Sequence, residues 1–98
     1  MNWTKIIKYL RETEYFNENS STIVEDKILV MENPELFYIT FILTKNYIEV
    51  TFGIYEDNKK IAARRIYPQI NFPIEKIGED IKKMETEIKR RRINEKNT

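Results

Sequence analysis

Hydroxyls, carboxylates and cations are the side chains available for chemistry here, because the 98-residue chain contains neither His nor Cys. Without His, the commonest general base and the commonest neutral metal ligand are both missing. Without Cys, thiolate chemistry and disulfides are impossible. Ser20 and Ser21 therefore have no imidazole to activate them, and no lysine stands at a marked spacing from them. Glu12, Glu14, Glu18, Glu25, Asp26 and Glu49 supply carboxylates enough for an acid–base pair. Carboxylates in this abundance are ordinarily solvated surface. Asp57-Asn58 reads as turn chemistry rather than as metal ligands, and no calcium-loop spacing is present. Gly53 and Gly78 stand alone, whereas a phosphate-cradling loop needs clustered glycines. The expectation is a non-enzymatic protein with no cofactor and no metal.

Cations offer a different kind of function. The formal net charge is only +1, but it is unevenly spread. Residues 1–57 hold five Lys/Arg against ten Asp/Glu, whereas residues 58–98 hold twelve against six. Lys59, Lys60, Arg64 and Arg65 cluster in one segment, and Lys89, Arg90, Arg91 and Arg92 in another. With Tyr47, Tyr55 and Tyr67 as stacking surfaces, these would form a nucleic-acid-binding face. The overall balance is far less basic than that class normally shows. Nucleic acid is therefore the alternative partner, behind a protein partner or a second copy of the chain.

These groups must be positioned by a single small domain, expected over 1–93 with a frayed tail over 94–98. No stretch approaches the 18 apolar residues of a membrane span, and the N-terminus lacks the pattern of a secretory leader. A cytoplasmic location with no membrane contact is the expectation. Trp3, Ile6, Ile7 and Leu10 recur at helical spacing and predict a helix over 3–12. Residues 22–31 read as one apolar strand, followed by a turn over 32–35. Strict alternation over 36–44 and 47–55 predicts a hairpin around Lys45-Asn46. Its register pairs Leu43 with Ile48, Phe41 with Val50, Ile39 with Phe52 and Phe37 with Ile54, and places Tyr38 over Gly53.

A further strand over 60–67 presents a conflict. Regular pairing would set Arg65 against Val50 on the core face, so a bulge near Ala62–Arg65 is expected to turn Ile66 inward and both arginines outward. Ile74, Ile77, Ile81, Met84 and Ile88 predict a helix over 73–92, with Pro73 in its first turn and a basic end. The fold expected is α+β: an antiparallel meander sheet of three or four strands, with both helices on one face.

Extending the register with Met31 opposite Leu36 places Val24, Ile28 and Val30 on the helix-covered face, with Asp26 as the misfit there opposite Phe41. It places Ile23, Leu29, Met31, Leu36, Tyr38 and Ile42 on the other face, with Tyr47 and Tyr55 at its border. A half-exposed antiparallel sheet normally carries polar residues there. This apolar set is read as a partner-binding surface, for a homodimer or another protein. The loop over 13–21 is the competing cover for it. Small size, Lys/Ile/Asn-rich usage and missing catalytic groups further suggest a phage or mobile-element protein that inhibits or adapts a host complex.

Overall fold

The structure, a computed structural model, describes residues 2–96. Helix α1 (Trp3–Arg11) is followed by strands β1 (Ser21–Val24), β2 (Ile28–Glu32), β3 (Phe37–Leu43), β4 (Tyr47–Glu56) and β5 (Lys59–Pro68), then by helix α2 (Ile74–Lys96). The strands form one antiparallel sheet in the order β1-β2-β3-β4-β5. The architecture is α+β with five strands rather than three or four. Of the tail expected over 94–98, the helix includes 94–96, and Asn97 and Thr98 lie outside the described residues. No helix among the described residues is long and apolar enough to cross a membrane.

Helix α1 starts where Asn2 caps it: the Asn2 carboxamide oxygen accepts from the Thr4 N–H at 3.1 Å. Lys8 and Arg11 sit in its last turn, at the negative end of the dipole. Its apolar face buries Trp3, Ile6 and Leu10. The Trp3 ring meets Phe41 edge-on at 6.4 Å, and its indole N–H donates to the Glu25 carbonyl at 3.1 Å. Helix α2 lies on the same face and buries Ile77, Ile81, Met84 and Ile88. The two helices meet at Gly78, where the Tyr9 hydroxyl accepts from the backbone N–H at 3.3 Å. A Cβ at Gly78 would lie 2.9 Å from that hydroxyl oxygen, so the glycine permits the close approach.

The central hairpin has the register its alternation demands, including Phe37 opposite Ile54 and Tyr38 opposite Gly53. A two-residue turn with Asp57 and Asn58 at positive φ (50° and 64°) joins β4 to β5. Both residue types tolerate that left-handed region, and it matches the twist of the flanking strands. Ile39, Phe41, Ile48, Val50 and Phe52 are fully buried on the helix side.

Three local expectations are corrected. First, residues 22–31 are not one strand. Glu25, Asp26 and Lys27 turn the chain, and the Glu25 N–H donates to the Ile28 carbonyl at 2.8 Å. Asp26 is thus in a turn, not opposite Phe41.

Second, β2 is shifted by three residues against β3, so Met31 lies opposite Ile39 and Leu29 opposite Phe41. The cause is Asn33. Its buried carboxamide oxygen accepts from the Glu35 and Phe37 N–H groups at 3.0 and 2.9 Å, and its amide donates to the Tyr15 carbonyl at 2.9 Å. The Asn33 N–H donates to the Phe37 carbonyl, which leaves a three-residue loop ending in Leu36 at φ 69°. An odd shift moves every β2 side chain to the opposite face.

Third, β5 pairs with β4 without a bulge, with Val50 opposite Arg65 and Glu49 opposite Ile66. Arg65 faces the helix side and Ile66 faces away. The conflict is resolved by α2, which lays the Glu87 carboxylate against the Arg65 guanidinium.

Candidate partner-binding surface

All large covers lie on one side of the sheet. Besides both helices, the connection after α1 joins the helix side: Tyr15 packs on Phe37 and Phe52 at 5.4 and 5.3 Å, and Phe16 meets Phe52 edge-on. The loop expected to cover the other face therefore does not. What remains open is a sheet face read off the alternation and the pairings. It runs in rows across the strands. Ile23, Val30, Thr40, Thr51 and Arg64 form one row, and Ile28, Ile42, Glu49 and Ile66 the next.

The expected partner-binding residues divide on this frame. Leu29 and Met31 are fully buried under the helices, which corrects their placement on the open face. Ile42 is half-buried on the open face, Tyr47 is exposed at its end, and Leu36 is exposed in the β2–β3 loop. Tyr38 is on the open face but buried, with its ring hydroxyl over Gly53, where a Cβ would come within 2.7 Å of that hydroxyl and of the Ile61 carbonyl oxygen. Tyr55 packs on Tyr38 at 4.8 Å, and the Lys60 ammonium sits over both rings at 5.3 and 5.8 Å. Burial, then the neighbouring Tyr55, pushes the Tyr38 hydroxyl above its ordinary pKa. This corner is a neutral aromatic platform with one cation stacked on it.

Ile28, Val30 and Ile66 belong to the open face, and sequence reasoning placed each of them on the other side. Ile23 and Ile66 are the barest, with 58% and 54% of their surface exposed. The polar triplet Glu25-Asp26-Lys27 is the signal that separates β1 from β2, and the Asn33 loop, through the shifted β2–β3 register, returns Ile28 and Val30 to this face.

The basic residues do not form one face. Lys60 and Arg64 lie on the open side, and the Arg64 guanidinium is 3.7 Å from Glu49. Arg65 lies on the helix side, bonded to Glu87. That hydrogen bond raises the Arg65 pKa and holds the Glu87 carboxyl below the ordinary carboxylate range. Arg92 grips Glu56 with contacts of 2.6 and 3.0 Å, Lys89 pairs with Glu85 at 2.6 Å, and Arg91 donates to the Ala62 carbonyl. Lys59 and Arg90 are exposed. Beside Arg65, the Tyr67 hydroxyl donates to the buried Asp80 carboxylate, and burial followed by that bond pushes the Tyr67 pKa well up. Arg65, Tyr67, Asp80 and Glu87 thus tie α2 to β5, and of the basic residues Arg64, Arg65, Lys89 and Arg92 pair with carboxylates while Arg91 bonds a backbone carbonyl.

Among the described residues, no three His, Cys, Asp or Glu side chains converge on one point. Glu14 and Glu35 line one shallow hollow with Asn17, Asn19 and Asn33. Glu49 faces Arg64, and Glu12, Glu18, Glu25 and Asp26 are spread over the exposed surface. Compared with protein-family models, with curated proteins and with solved structures, the chain finds no match.

Proposed function

We propose that this chain is a non-enzymatic protein-interaction module that docks another protein on the open face of its sheet. One observation carries the reading. Both helices and the α1–β1 connection stack on one side, and the other side keeps Ile23, Ile28, Val30, Ile42 and Ile66 at its surface. Single exposed apolar residues are ordinary, but a contiguous group of aliphatic side chains on a sheet face is the usual mark of an interface. Thr40, Thr51 and the Glu49–Arg64 pair interrupt it with polar groups. This is the mixed composition of a non-obligate contact. The partner it fits is a protein with a neutral, apolar surface. An inhibitor or adaptor acting on a host complex belongs to the same proposal.

Site-directed photo-crosslinking tests it. A photoreactive residue at Ile42 should trap a discrete partner in the native cell extract, and Ile66→Lys in the same chain should abolish the product. The same probe at Lys83, exposed on α2, should not trap it. Equal products from both positions would sink the docking reading. Affinity for heparin or duplex DNA that falls steeply with salt would favour the nucleic-acid alternative instead.

A further inference from the structure

A sheet with two edges must protect both, because each presents unpaired backbone groups to other chains. The edges of this sheet are treated very differently. On β5 the Gln69 N–H donates to the Asn46 carbonyl, which sets the alternation: Lys60, Ala62, Arg64, Ile66 and Pro68 direct their backbone groups away from β4. The outward carbonyl of Ala62 accepts from Arg91, that of Arg64 accepts from the Arg65 guanidinium at 3.0 Å, and Pro68 has no N–H to offer. Two arginines, a proline and neighbouring lysines close that edge.

No such device protects β1. The bond from the Glu25 N–H to the Ile28 carbonyl sets Ser21 and Ile23 toward β2, so Thr22 and Val24 direct their N–H and C=O groups outward. Those groups meet no hydrogen-bond partner among the described residues. The strand is Ser-Thr-Ile-Val, without a charge or a proline. Ile23 on the open face and Val24 on the helix face are 58% and 51% exposed, so both faces are open at these two residues, while the Thr22 hydroxyl is buried.

We propose that β1 pairs antiparallel with β1 of a second copy, about a two-fold axis through Ile23. The alternation permits this register without adjustment. Thr22 of one copy lies opposite Val24 of the other, and each of their N–H and C=O groups gains a partner. Ile23 faces its own copy as a non-hydrogen-bonded pair, the closer kind of cross-strand contact. The Glu25 carboxylates fall opposite Ser21 of the other copy, not opposite each other. An interface that repeats the same patch on both subunits is what two-fold symmetry requires. The two open faces join into one continuous ten-stranded surface. The contact is short and buries less than the roughly 1,200 Å² of a stable interface, so the pair is concentration-dependent.

Sedimentation equilibrium of the full chain up to about 1 mM should show a monomer–dimer equilibrium. Ile23→Lys sets like charges directly opposite and should weaken it at least about 10-fold, with an unchanged circular dichroism spectrum. Because the chain has no Cys, a cross-link gives an independent readout. Across the axis the Cα atoms of Ile23 would be about 4.5 Å apart, within disulfide range. With oxidised glutathione as the electron acceptor, Ile23→Cys should join two thiols as a disulfide dimer at least about 10-fold faster than Ile66→Cys, an equally exposed position on the closed edge. A chain monomeric at every concentration, a dimer indifferent to Ile23→Lys, or equal cross-linking rates would each overturn the proposal. The contact stands apart from the docking reading, because Ile66→Lys should abolish partner capture and leave the dimer intact.

Discussion

Phe41→Ala tests the packing that creates the open face in the first place. Phe41 is fully buried on the helix side, opposite Val50 on one neighbour and Leu29 on the other. Its ring meets Trp3 of α1 at 6.4 Å and Phe72 of the β5–α2 connection at 6.3 Å, both edge-on. Truncation therefore removes contacts to three parts of the chain and leaves a cavity that none of them can fill without moving the sheet. Phe→Ala in a core costs about 3–5 kcal/mol, and the two lost edge-on pairs place this site at the upper end, near 4–5 kcal/mol. A domain of this size has about 5–15 kcal/mol in total, so the loss takes from about a quarter to nearly all of it. Urea unfolding followed by Trp3 fluorescence suits the measurement, since Trp3 is the only tryptophan and touches the mutated ring. With a slope of about 1–2 kcal/mol per molar, the midpoint should fall by roughly 2–5 M. Ile70→Ala, at a position 81% exposed, should stay within about 0.5 kcal/mol of wild type. A Phe41→Ala loss below about 1 kcal/mol would refute the assignment of this residue to the packed centre.

Other perturbations probe the polar ties and the glycines. Tyr67→Phe leaves the buried Asp80 carboxylate without its donor and should cost about 1–3 kcal/mol at pH 7 by thermal melting. The folded Tyr67 pKa is raised above its unfolded value near 10, so its stabilisation is full below that value and lost as pH rises past it; Tyr67→Phe should flatten this alkaline decline. Glu87 has the opposite sign: its depressed pKa contributes stability above the unfolded value near 4.3 that is lost as pH falls through the folded pKa. Because the pair is partly exposed, Glu87→Gln should change stability at pH 7 by no more than about 1 kcal/mol and reduce the acid-side loss. Gly53→Ala drives a Cβ to 2.7 Å from the Ile61 carbonyl oxygen and should cost about 1–3 kcal/mol by urea titration. Gly78→Ala should miss the gain of about 1 kcal/mol normal for a helical site, because its Cβ meets the Tyr9 hydroxyl; the gain should reappear in a Tyr9→Phe background.

The sequence by itself determined the parts of this protein whose rules are local. Alternation from Phe37 to Ile54 admits only one hairpin register that keeps every apolar pair on one face, and the structure has it. The 3-4 spacing of Ile74, Ile77, Ile81, Met84 and Ile88 determined α2, and that of Trp3, Ile6, Ile7 and Leu10 determined α1.

Tertiary structure decided the rest, and with it most of the candidate surface. Whether Arg65 could stay on the core face depended on a carboxylate 22 residues away on α2, a contact that no neighbour in sequence announces. The face taken by Leu29 and Met31 depended on Asn33, whose carboxamide is held by the Tyr15 carbonyl from another segment and fixes a loop one odd step away from the simplest turn. Parity along a strand is rigid, so one such shift exchanges an entire strand between core and surface. That exchange removed Leu29 and Met31 from the candidate surface and put Ile28 and Val30 in their place.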